Sequence, residues 1–243
     1  MHQHPEYSIV VLCYGSGDLV YGFVNETIKC LLASKIHDYQ LVLVGNYFEN
    51  SDDPTPEILK TLAKNNPRIT AVIKPKRGMM GWDMRAGLTA ATGKYISVID
   101  GDGQMPVEDL VTVYKQLVNS DYDLVKTFRT TREDGASRKI ISSAFNVIFR
   151  LLFPSVKSKD INSKPKIFSR ANYEKLNLRS DDWFIDAEIM IQAGRLGFTI
   201  GEVPTHFRAA TRGDGSFINA FTFFEFMNNL MKFRIKEFWK KKR

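Results

Sequence analysis

Read as apolar and polar positions, the first half of the chain alternates between two patterns. Continuous β-rich apolar runs at Tyr7–Tyr14, Gln40–Asn46, Arg68–Lys74, Lys94–Asp100 and Asp123–Arg129 predict strands. Between them, Leu19–Lys35, Thr55–Asn65, Gly81–Gly93 and Pro106–Val118 carry apolar residues at helical spacing. The second of these helices has Pro56 at its start, where a missing N–H costs nothing, and the third ends on Gly93, a common C-cap. Apolar strands joined through helices by short connections predict a mostly parallel sheet with helices on both faces. After about residue 130 the rhythm loosens, with helices over Ser137–Phe153 and Asp186–Gly197 and short strands at Lys164–Arg170 and Phe198–Pro204. No linker or internal repeat interrupts it. The pattern therefore predicts one α/β domain over residues 1–216 with a mixed second half. An amphipathic, basic helix over 217–243 follows, with Phe224, Met227, Met231, Ile235 and Phe238 at helical spacing.

Composition narrows the picture. The chain has 243 residues, 44% of them hydrophobic, enough to bury a core without staples. Its two cysteines, Cys13 and Cys30, lie in apolar runs and read as buried free thiols in a reducing compartment. The four histidines show no zinc-site spacing. With no charged-then-apolar leader and no uninterrupted apolar run of ~18 residues, the expected location is cytoplasmic. Net charge is +7, much of it in "KFRIKEFWKKKR", Lys232–Arg243. Such a balance suits phosphate-bearing substrates, anionic lipid or nucleic acid. Nucleic acid is the weakest of these, because aromatics interleave with the basic residues only at the C-terminus. The terminal helix either packs on the domain or contacts the cytoplasmic membrane face peripherally.

The candidate chemistry lies in "ISVIDGDGQMPVEDL", Ile96–Leu110, where a strand runs into two aspartates separated by one glycine. Asp and Gly are also ordinary turn residues. Yet in a parallel sheet ligands bind at the carboxyl ends of strands, and this turn follows the fourth strand. Asp100 and Asp102 can converge there on Mg²⁺ or Mn²⁺, with Gln104 adding an amide oxygen. The glycines leave room for a diphosphate whose departure such an ion assists. A calcium EF-hand loop is excluded, because its sixth position is Met105 and its twelfth Val111. "GSGDLVYG" after the first strand lacks the third glycine of a dinucleotide loop, and no P-loop lysine motif exists.

In this order of motifs the chain resembles glycosyltransferase family 2, with its GT-A fold, in the dolichyl-phosphate mannosyltransferase-like (polyprenyl-phosphate glycosyltransferase) branch. "RGMMGWDMRAGLTAATGKYISVIDGDGQMPVEDL" resembles the family segment leading into its DXD strand, with Asp100 and Asp102 at the two acidic positions. Arg129 and Arg138 match two basic positions of the branch. "DINSKPKIFSR" resembles its D-x-x-(S/C)-G-(F/Y)-(K/R)-x-(F/M)-x-R segment, with Asp160, Lys166 and Arg170 matching and Lys164 in place of glycine. "GEVPTHFRAATRGDGSF" resembles the E-V-P strand and the basic loop that contains Arg212. The first strand keeps only Tyr14 of the family's P-x-Y-N-E. Where the second strand usually ends in two donor-reading aspartates, the chain has "VGNYFENSDD", with Asn46 near the second and Asp53 further on.

The resemblance implies an inverting, metal-dependent transfer of sugar from a UDP- or GDP-type donor to a polyprenyl phosphate or lipid-linked glycan. Tyr14, Asn46, Asp100, Arg129 and Arg212 would bind the donor, and Asp100, Asp102 and Gln104 the metal. Arg138, Lys166 and Arg212 would stabilise acceptor or leaving-group charge. A hydroxyl acceptor needs a general base, for which Asp186 is the first candidate and Glu188 the second; a phosphate acceptor needs little or none. Asp186 reads equally well as a helix cap. Lys166 reads as an outward-pointing residue of its strand. The altered second strand leaves a second class open, a non-catalytic nucleotide-sugar-binding relative acting as a glycan-assembly partner.

Overall fold

The structure, a computed structural model, describes residues 4–132, 136–209 and 226–234, without the side chains of 132–143. In chain order the elements are β1 (Tyr7–Leu12), α1 (Leu19–Ala33), β2 (Tyr39–Val44), α2 (Thr55–Asn65), β3 (Ile69–Val72), α3 (Met80–Ala90) and β4 (Tyr95–Asp100). The second half continues with α4 (Glu108–Val118), β5 (Leu124–Arg132), α5 (Ala136–Leu152), β6 (Lys166–Ser169), α6 (Arg170–Glu174), α7 (Ile185–Arg195) and β7 (Ile200–Phe207).

The strands form one seven-stranded sheet in the order β3-β2-β1-β4-β6-β5-β7. β1 pairs in parallel with β2 and β4, β2 with β3, and β5 with β7. Only β6 runs against its neighbours β4 and β5. The expected mixed α/β architecture is thus present, and its mixed character lies in this one strand.

Alternation along the strands feeds two cores, one on each face. Ile9, Val11, Leu41 and Leu43 bury one face beneath α1, α2 and α4, which contribute Phe23, Leu31, Leu59, Leu110 and Leu117. Val10, Val42 and Val98 bury the other beneath α3, α5 and α7, with Met84, Leu88, Phe149, Ile185 and Ile189. Because both faces are covered, the strands read as unbroken apolar runs. Gly87 lets α3 lie close on the sheet, since a Cβ there would come within 2.4 Å of Val10 Cγ1 and 2.7 Å of Val44 Cγ2. α3 ends earlier than the sequence suggests. Its C-cap is Ala91, and Gly93 instead donates its N–H to Ser8 Oγ at 2.8 Å. Cys13 and Cys30 are free, as expected, but only Cys13 is buried and Cys30 is half-buried.

Of the expected C-terminal helix, residues 226–234 are described and helical. Leu230 is fully buried, and Phe226 packs edge-on against Phe145 at 4.5 Å between centroids. This part of the helix therefore contributes its apolar face to the domain core. No helix among the described residues is long and apolar enough to cross a membrane.

Candidate active site

The carboxyl ends of β1, β2 and β4 lie side by side, with Leu12 registered against Val44 and Asp100. Asp100 closes β4, and the chain then turns through Gly103, whose φ of 75° is left-handed and suits glycine. The Gln104 N–H donates to Asp102 Oδ1 at 3.0 Å, fixing that carboxylate within the turn. Desolvation, and after it the Asp100 charge, push the Asp102 carboxyl up to about 6.

β6 brings cations to this turn. Because it runs antiparallel, its first residues lie beside the carboxyl end of β4. Lys164 Nζ sits 3.0 Å from Asp100 Oδ2 and 3.1 Å from Asp186 Oδ2. Lys166 Nζ sits 2.5 Å from Asp186 Oδ1 and donates to the Ser163 carbonyl at 2.8 Å. Burial would lower Lys164, but the carboxylates of Asp100 and Asp186 outweigh it and hold the ammonium above its ordinary range. Burial would raise Asp186, but Lys164 and Lys166 outweigh it and keep it ionised. Burial dominates for Lys166 and lowers it.

A second, connected cluster lies deeper. Arg129 grips Asp160 through Nε to Oδ2 at 2.6 Å and Nη2 to Oδ1 at 2.8 Å. Lys126, fully buried, donates to the carbonyls of Thr127 and Asp160 and lies 3.6 Å from Glu202 Oε1. Burial, then Lys166, bring Lys126 down to about 7. Burial would raise Asp160, but the Arg129 fork and the Lys126 charge hold it well below the usual carboxylate range.

At the ends of β1 and β2, the exposed rings of Tyr14 and Phe48 meet edge to face at 5.9 Å. Lys76 Nζ lies 4.0 Å from the Tyr14 ring centroid and pairs with the buried Asp83. Asn46 is fully buried beside them: it donates to Asp83 Oδ1 at 2.8 Å and accepts the Lys74 N–H at 2.9 Å.

The structure thus brings Asp100, Asp102, Lys166 and Asp186 into one connected site, with Arg129 behind it. Several expectations change. Asn46 braces the loop after β2 through one donated and one accepted hydrogen bond. Gln104 is buried, and its Nε2 donates to the Arg208 carbonyl at 3.3 Å, tying the end of β7 to the turn. Lys166 is buried on Asp186 and does not point outward, because the sheet face it occupies is covered by α7. Asp186 lies inside the first turn of α7, whose N-cap is Phe184, so it is an ion-pair partner and not the cap. Glu188 accepts N–H groups from Arg179 at 3.0 Å and Ser180 at 2.8 Å and holds that loop. Asp53 accepts from Gly15 N–H at 2.9 Å and Thr55 N–H at 3.0 Å, pinning the first loop to α2. The side chain of Arg138 and all of Arg212 lie outside the described residues.

Sequence reasoning missed Lys126 and Asp83 and treated Lys164 only as a departure from a motif. Each carried a signal: Lys126 interrupts an apolar strand, and Asp83 falls on the buried side of α3.

The residues present fit a hard divalent ion. Asp100, Asp102 and Asp186 set three carboxylates against the two ammonium groups of Lys164 and Lys166, leaving one net negative charge. Among the described residues no group of three or more His, Cys, Asp or Glu is placed to hold a metal ion by itself. The rest of a shell would be substrate oxygens and water, as is common for Mg²⁺ and Mn²⁺.

Known proteins resemble this chain in sequence and in fold. The family profile described as Glycosyl transferase family 2 matches residues 8–184. Glycosyltransferase AglD of Haloferax volcanii is 27% identical over 205 residues, covering 82% of this chain but 32% of that protein. Dolichyl-phosphate beta-glucosyltransferase ALG5A of Trichomonas vaginalis is 24% identical, covering 94% of this chain and 72% of that protein. Dodecaprenyl-phosphate galacturonate synthase of Rhizobium johnstonii is 26% identical, covering 80% and 58%. In fold, the chain is similar to glucosyl-3-phosphoglycerate synthase of Mycobacterium tuberculosis, solved with Mn²⁺, uridine diphosphate and glucosyl-3-phosphoglycerate. The TM-score there is 0.72 at 19% identity, covering 94% of this chain and 79% of that one. The mannosyltransferase PcManGT of Pyrobaculum calidifontis, solved with GDP-Man and Mn²⁺, gives 0.60 at 18% identity, covering 88% and 59%.

Proposed function

The chain belongs to glycosyl transferase family 2, and from that premise we propose that it is an inverting, metal-dependent glycosyltransferase. Its donor is a UDP- or GDP-type sugar and its acceptor a polyprenyl phosphate or lipid-linked glycan. The observation that carries this reading is the Asp100–Asp102 turn at the carboxyl end of β4, with two buried lysines beside it. Asp102 and Asp100 would hold Mg²⁺ or Mn²⁺, which would supply positive charge to offset that of a diphosphate leaving group. Tyr14, braced on one side by Lys76, offers its exposed ring to the nucleobase. Arg138 and Arg212 screen the anionic acceptor and donor, while Arg129 acts through Asp160 to fix the β5 end of the site.

The candidate bases support one acceptor class over the other. Both oxygens of Asp186 are held by lysines, and Glu188 is spent on backbone N–H groups. Neither is poised to take a proton. An acceptor that arrives already ionised, a lipid phosphate, suits such a site. Relatives named for dolichyl and dodecaprenyl phosphate point the same way. The internal commitment of Asn46 is the observation that favours the other reading, a non-catalytic nucleotide-sugar-binding partner in glycan assembly.

The test is nucleoside-diphosphate-sugar binding across a UDP and GDP panel with and without Mn²⁺, followed by turnover with and without a polyprenyl phosphate. Asp102→Ala is expected to abolish the metal-dependent part of binding and to lower turnover at least a hundredfold, on the order of losing one strong transition-state contact. If no nucleoside diphosphate binds with Mn²⁺ present and Asp102→Ala changes nothing, the enzyme reading is lost. Binding without turnover selects the partner reading.

A further inference from the structure

Lys164 occupies the approach to Asp100 from the protein side. Its side chain is 4% exposed, and among the described residues its ammonium meets two carboxylates and the Met80 sulfur, the last at 3.4 Å. The second carboxylate, Asp186, is itself shared with Lys166. Asp100 Oδ2 therefore already accepts from a fixed positive charge before any ion arrives.

We propose that Lys164 is a tethered cation that competes with the divalent metal for Asp100 and so sets how weakly the nucleotide-free protein holds that metal. Lys164 is a positioning residue here. It acts through Asp100, which it neutralises and orients. Metal then binds well only when a diphosphate supplies the missing negative charge, so donor and metal arrive together. The inference rests on the reading of Asp100 and Asp102 as metal ligands.

The experiment measures Mn²⁺ binding to the nucleotide-free protein from the electron paramagnetic resonance signal of free Mn²⁺. Lys164→Met is expected to tighten Mn²⁺ binding by about tenfold, the order set by releasing Asp100 Oδ2 from one charge-assisted hydrogen bond. In an Asp100→Asn background the same substitution is expected to change the affinity less than twofold. A general field effect of the lysine would survive that background, whereas competition for Asp100 would not. Lys164→Gln keeps a donor between Asp100 and Asp186; it serves if the methionine variant does not fold, with the same tightening expected. Unchanged Mn²⁺ affinity in a folded Lys164 variant overturns the proposal, as does a tightening that persists in the Asp100→Asn background. If wild type binds Mn²⁺ and loses it on Asp102→Ala while the Lys164 variants stay at the wild-type value, only this inference falls. If neither wild type nor the Lys164 variants bind Mn²⁺, the metal reading falls and takes this inference with it.

Discussion

Asp160 and Arg129 show how much a single pair can hold. Both are about nine-tenths buried, and the guanidinium meets both carboxylate oxygens. Removing one partner of a buried pair strands the other, so Arg129→Met is expected to destabilise the fold by about 3 kcal/mol at pH 7, read from urea unfolding. The pH dependence has a definite sign. Asp160 is lowered on folding, so its contribution is present above its unfolded value of about 4 and is lost as pH falls through the folded one. In Arg129→Met the main force lowering Asp160 is gone and burial pushes it up, which makes the variant relatively better off in acid. The gap between wild type and variant is therefore expected to narrow from pH 7 to pH 3; a gap that widens would contradict the assignment. At this scale the sequence showed Asp100 and Asp102 plainly, because two acids closing an apolar strand break the pattern. It hid the commitments of Lys166, Asn46 and Gln104. Alternation tells which face a side chain takes, but in a sheet covered on both sides it does not tell what waits there.

Among the elements, the contact that orients the site is the seat of α3 on the segment before α7. Met79 and Trp82 donate their N–H groups to the Asp181 carbonyl, and Gly81 donates to that of Asp182. A Cβ on Gly81 would lie 2.4 Å from the Ser180 carbonyl oxygen and 2.7 Å from that of Asp182, both backbone atoms that cannot rotate away. Gly81→Ala is expected to cost about 2 kcal/mol in chemical denaturation, overpacking outweighing the gain of about 1 kcal/mol in helix propensity. A variant as stable as wild type would show that the two segments can separate. All seven strands were legible as apolar runs, although the edge strands β3 and β7 are only partly buried. The reversed direction of β6 was not, because a short buried run reads the same in either direction and pairing partners far away in sequence decide its sense.

For the molecule as a whole, the net charge of +7 and its concentration at the end of the chain set the long-range behaviour. Residues 226–234 bury Leu230 in the domain, and in the sequence beyond them 235–243 carry Lys236, Lys240, Lys241, Lys242 and Arg243 against Glu237. Each such cation near an anionic bilayer contributes about 1 kcal/mol. Deleting 235–243 is expected to weaken binding to phosphatidylserine vesicles at least tenfold, and raising ionic strength should weaken binding of the full chain likewise. Binding that survives the deletion would move the contact elsewhere on the protein.

The antiparallel β6 has a kinetic consequence. β4 can pair with β1 as soon as the first half of the chain has collapsed, but its other edge waits for a strand whose partner residues lie as far off as Ser169 against Tyr95. Until that docking, β4 is an open edge ending in an acid. Closing it delivers Lys164 and Lys166 in the same event. Competence of the site is therefore timed by a long-range pairing, which loop-closure entropy makes slow relative to the local β-α units that precede it.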